Sequence, residues 1–130
     1  MPQPIAKQGD LVVGVDTHIV MIPSPGGPVP TPLPSPFNGQ LDGNLSDSVF
    51  IDDKAVALVD SEASNMPKHI PAGGPFQTPP TDKGVVKTGS STVFINDRAV
   101  ARAGDTANTC NDPADAPNGV VIAVGVVMTD

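Results

Sequence analysis

Short apolar runs, each stopped by a polar pair, punctuate the chain, and two of them are near copies. Ser48-Val-Phe-Ile-Asp-Asp-Lys-Ala-Val-Ala57 and Thr92-Val-Phe-Ile-Asn-Asp-Arg-Ala-Val-Ala101 stand 44 residues apart. Each has the layout of a β-hairpin: a short β-branched and aromatic strand, a two-residue turn, then a second strand starting at Lys54 or Arg98. The turn pairs, Asp52-Asp53 and Asn96-Asp97, are residues that tolerate the positive φ of a tight hairpin. Each unit then runs on to an acid, Asp60 in the first and Asp105 in the second. Hairpin units are therefore predicted near 48–60 and 92–105.

A third unit is visible in two pieces. The opening Ala6-Lys-Gln-Gly-Asp10 has the spacing of Ala101-Arg-Ala-Gly-Asp105, as though the chain began halfway through a unit. The tail, Gly119-Val-Val-Ile-Ala-Val-Gly-Val-Val127, supplies the missing leading strands. One closed domain over residues 1–130 is expected, all-β, with three repeated units that are stable only when packed together.

Two proline-rich stretches separate the units, 22–37 and 71–80. Such segments serve as flexible linkers or as polyproline ligands for a partner domain. Here they carry the apolar residues Leu33, Phe37 and Phe76 and end beside a repeat unit, which favours stiff, ordered loops wrapped over a small β core.

Composition narrows the classes. The chain has 16 Pro and 13 Gly, no Trp, no Tyr and a single Cys. Thirteen of its 14 acids are Asp, Glu62 is the one Glu, and there are 17 Val, so strands and turns are favoured over helices. One cysteine excludes an internal disulfide. A net charge of -7 with no basic cluster makes nucleic acid a poor partner. The opening residues lack the apolar core of a signal peptide, and the longest apolar run, Val120–Met128, is far short of a membrane span. The expectation is a protein made in the cytoplasm that leaves only as part of something else.

Three side chains are obvious metal ligands: His18, His69 and Cys110. Two surface histidines and one buried thiol would be the plain interpretation. Yet each follows the acid that closes a unit: His18 is 8 residues after Asp10, His69 is 9 after Asp60, and Cys110 is 5 after Asp105. If the units surround a pseudo-threefold axis, the three side chains converge at one end. Zinc suits imidazole and thiolate ligands in tetrahedral geometry and takes a fourth donor when structural. Other chemistry has little support. No serine sits in a nucleophile elbow, and a zinc hydrolase would need a base, for which Glu62 is the only candidate nearby in sequence. The pairs Gly26-Gly27 and Gly73-Gly74 are each followed by Pro, not by a helix start that could cradle phosphate.

The Ala-Val-Ala elements (Ala55 to Asp60, Ala99 to Asp105), the opening Ala6 to Asp10 and the single His or Cys per unit resemble PAAR-repeat proteins. Lys54-Ala-Val-Ala57 and Arg98-Ala-Val-Ala-Arg102 are similar to the Pro-Ala-Ala-Arg motif that names the family, and the stretch from Asp16 to Phe37 resembles its PAAR-like branch. The resemblance implies a small cone of β-hairpins with pseudo-threefold symmetry. The cone would sit, one chain per trimer, on the blunt end of a VgrG-type spike of a contractile injection or type VI secretion apparatus. It would sharpen the spike and lead it through a target envelope, in transient contact with the membrane and outside the producing cell. An adaptor that docks a toxin effector in trans is the related alternative. The resemblance further implies zinc held near the apex by three His and one Cys. His18, His69 and Cys110 match ligand positions, while Ser35 stands where the remaining His is expected. The fourth donor would then be Ser35, Asp16 or water.

Overall fold

Asp52, Asp53, Asn96 and Asp97 all have positive φ, between 52° and 65°, as two-residue hairpin turns of this kind require. In the structure of the chain, a computed structural model describing residues 2–130, these turns join β4 (Phe50–Ile51) to β5 (Lys54–Ala55) and β8 (Phe94–Ile95) to β9 (Arg98–Ala99). No helix occurs among the described residues.

The third hairpin is assembled from the two ends of the chain. β1 (Gln3–Pro4) pairs with β12 (Met128–Thr129) antiparallel, Gln3 opposite Thr129 and Pro4 opposite Met128. Its closing strand thus lies just beyond 119–127. Equivalence of the three units is shown by rings of backbone hydrogen bonds. Ala6 N donates to Ala101 O, Ala101 N to Ala57 O, and Ala57 N to Ala6 O, all at 2.9 Å. Ile5, Val56 and Val100 repeat the pattern one residue earlier, donating to Val127, Val49 and Val93.

These rings correct the phase of the repeat. Asp10 and Asp105 accept backbone N–H bonds from Lys7 and Arg102, three residues before them, and Ser61 Oγ accepts the same bond from Leu58. Ser61, not Asp60, is therefore the counterpart of the two acids. Asp60 occupies the position of Gly9 and Gly104, with φ of 77° against their 88° and 90°. A pattern search that looks for an acid stops one residue early, because Asp is among the few non-glycine residues that tolerate this conformation.

Beyond the rings, three longer hairpins close into a six-stranded barrel. They are β2 (Leu11–Ile22) with β3 (Val29–Gly43), β6 (Glu62–Asn65) with β7 (Lys83–Val86), and β10 (Thr106–Thr109) with β11 (Ala116–Ile122). The interior is narrow and built from threefold sets: Val12, Ala63 and Ala107 on one level, with Leu41, Val86 and Val121 beside them, all fully buried. Phe37 plugs the end farther from the rings. The barrel has no room for a side chain at Gly14, where a Cβ would stand 2.3 Å from Asn118 O.

The first proline-rich stretch is not a loop. Residues 29–36 are one long strand paired with β2 over its whole length, from Ile22↔Val29 to Val15↔Pro36. Prolines 30, 32, 34 and 36 occupy every second position, so their missing N–H groups all fall on the same edge. That edge faces away from β2, leaving Thr31, Leu33 and Ser35 to supply the ladder bonds. The second stretch is a loop, as expected, laid along the other edge of β2. Met21 N donates to Pro75 O and Gln77 N to Ile19 O, both at 2.8 Å.

Candidate metal centre

Asp16 and His18 lie two residues apart on β2 and so project to the same face, while Val15 and Thr17, on either side of Asp16, are exposed. Cys110 follows immediately on β10, and His69 sits in the loop four residues after β6. Three hairpins thus each send residues to one place, at the barrel end opposite the alanine ring. With the phase corrected, the two histidines are equivalent: His18 is 8 after Asp10 and His69 is 8 after Ser61.

The ligand atoms of Asp16, His18, His69 and Cys110 lie within 4.8 Å of one another. Asp16 Oδ2 is central, 2.9 Å from His69 Nε2, 3.4 Å from Cys110 Sγ and 4.0 Å from His18 Nε2. Cys110 Sγ is 3.6 Å from His18 Nε2. Asp16, His18 and Cys110 are buried and His69 is nearly so.

Outer partners hold the cluster. Thr109 Oγ1 donates to Asp16 Oδ1. Asn65 Oδ1 accepts from Asn38 N at 2.8 Å and its Nδ2 donates to Asp82 Oδ1 at 3.0 Å, which fixes the amide's orientation. The same NH2 group faces His69 Nδ1 at 3.3 Å, so that nitrogen accepts and the ring proton lies on Nε2, donated to Asp16. Asp82 Oδ1 also accepts His69 N. Burial, and then the neighbouring Asp16 charge, push the Cys110 thiol from its usual value near 9 up to about 12. A protonated thiol of this kind is no nucleophile at neutral pH.

The donor set fits zinc. Tetrahedral zinc with bonds of about 2.0–2.3 Å places its ligand atoms roughly 3.3–3.8 Å apart, the range that the contacts above straddle. Two imidazoles, a thiol and a carboxylate, brought together without water-facing charge to solvate them, are also costly to leave without a cation.

Of the residues singled out by sequence, the structure brings His18, His69 and Cys110 together and adds Asp16. Ser35 stands opposite Asp16 in the β2–β3 register, but its hydroxyl forms no hydrogen bond to any of the four. Glu62 is exposed at the ring end of β6, away from the cluster. Nothing in the sequence marks Asn65, Asp82 or Thr109, which reach the cluster only because the fold brings separate strands and loops together.

A family model described as PAAR motif matches residues 21–108 of the chain. His18 and Cys110 lie just outside the matched residues at either end, and His69 within them. No curated protein matches the sequence.

Proposed function

The chain belongs to the PAAR-motif family, and from this we propose that it is the non-enzymatic tip of a trimeric VgrG-type spike in a contractile injection apparatus. The observation that carries the reading is the threefold base. Val49-Phe50, Val93-Phe94 and Val127-Met128 occupy equivalent positions around the hydrogen-bonded ring, and Phe50, Phe94 and Met128 are 56%, 57% and 52% exposed. A monomer gains nothing from three large apolar side chains held in water, whereas a trimer offers three equal sites for them. One chain with three similar faces then caps three strand edges that would otherwise invite pairing.

The other end acts by stiffness. Asp16, His18, His69 and Cys110 would hold zinc, which supplies strong bonds that tie β2, the loop after β6 and the segment after β10 to one point. Few apolar side chains are available there to do so. His18 and Phe76 pack edge to face with centroids 5.8 Å apart, and beyond them β2 and β3 continue as a two-stranded ribbon edged by the loop at 75–77.

Co-purification with the trimeric spike tests this. One chain per trimer is expected, and a Phe50→Ser/Phe94→Ser variant should lose affinity about 30-fold or more, as central apolar anchors do. Three chains per trimer, or no complex, would overturn the reading.

A further inference from the structure

His18 Nδ1 is the one buried side-chain polar atom without a hydrogen-bond partner among the described residues. Buried polar atoms rarely stay unpaired, so this nitrogen calls for an acceptor. The carboxylate that faces it is Asp112, with Oδ2 at 3.5 Å. That oxygen is not free to wander. It accepts Ile19 N at 2.8 Å, and Asp112 N donates to Thr17 O at 2.8 Å, so the residue is stitched to β2 on both sides of His18. Asp112 and His18 also share the wall of a cleft of about 170 Å³ that reaches Cys110.

We propose that Asp112 is the positioning residue of the metal centre: its carboxylate accepts a hydrogen bond from Nδ1–H of His18, which leaves the Nε2 lone pair directed at the cation. A ring movement of a few tenths of an ångström suffices to close the bond. A carboxylate behind a metal-bound imidazole fixes the tautomer and orientation of the ring and raises its basicity. The two histidines are thereby held differently. Asn65 presents a donor to Nδ1 of His69, and Asp112 presents an acceptor to Nδ1 of His18. His18 is ready for a cation, and His69 must exchange its hydrogen bond to Asp16 for one.

This inference rests on the zinc reading, and the test separates the two. Zinc affinity is measured by competition with a chelator, and the imidazole ¹⁵N–¹H correlations of the metal-free and zinc-loaded chain are recorded for the parent, Asp112→Ala and Asp112→Asn. Asp112→Ala is expected to lower affinity by about 10- to 100-fold. It should also remove the Nδ1-protonated signature of His18 in the metal-free protein and leave His69 protonated on Nε2. Asp112→Asn keeps an acceptor for Ile19 N and so preserves the backbone stitch, and it is expected to fall between. Asp115→Asn, in the same cleft but not facing His18, should change nothing. Unaltered affinity and an unaltered His18 signature in Asp112→Ala would overturn the proposal. A parent chain that shows the His18 signature yet binds no zinc would sink the metal reading and leave the tautomer assignment standing.

Discussion

The Cys110 thiol, pushed to about 12 by burial and by Asp16, sets the chemistry of the metal-free site. At pH 8 its thiolate fraction is lower than that of an unfolded cysteine by on the order of 10³. Alkylation of chelator-treated protein should be slowed by a comparable factor, and a rate equal to that of the unfolded chain would refute the burial argument. The same shift makes stability depend on pH. The unfolded chain gives up the thiol proton near pH 9 while the folded one keeps it to about 12, so stability of the metal-free protein falls across that interval. Chemical denaturation at pH 8, 9.5 and 11 should show the decline, and Cys110→Ala should flatten it. The three donors were legible in the sequence because they are rare and one follows the close of each unit. Asp16 against Ser35 was not decidable there: both sit on one level of β2 and β3, and burial at Asp16 is created by Thr109 and Cys110 from a hairpin some 93 residues away.

At the level of elements, the instructive case is β3. Its first half has period two, with proline at 30, 32, 34 and 36 alternating with Thr31, Leu33, Ser35 and Phe37. That is a strand pattern, although proline content taken alone argues for a loop. Proline is excluded from a sheet only where its nitrogen must donate, and an edge makes no such demand. The arrangement leaves the outer edge of residues 29–36 with carbonyls and no N–H groups, so a second strand cannot complete a ladder on it. Replacing Pro32 and Pro34 by Thr restores two donors. The double variant should self-associate at concentrations where the parent is monomeric by light scattering; an unchanged mass would show that something other than the prolines guards the edge. The copied hairpins, by contrast, were legible down to their turn residues, since a two-residue turn is specified locally by Asp and Asn.

For the whole molecule, the balance of stabilising contacts is uneven. The core consists mainly of alanine and valine on a threefold plan, which buries little area per residue, and the metal centre lies at the far end from the ring. Chelation should therefore lower Tm by roughly 10 °C or more, recoverable with zinc, since structural zinc sites contribute several kcal/mol to folding. An unchanged Tm together with no zinc by elemental analysis would remove metal from the account. The threefold plan was legible from the 44-residue copy and the split unit, but the barrel was not, because its short strands at 62–65, 83–86 and 106–109 carry few residues each and are defined by their neighbours. The ring of Ala6, Ala57 and Ala101 carries a consequence in time. A ring has no first member, but a ribosome delivers one end before the other, and Ile5 finds its partner only when Val127 has been made. Until then every sector already synthesised waits with an open side, so folding is expected to come late, as a single closure and not as a sequence of finished parts.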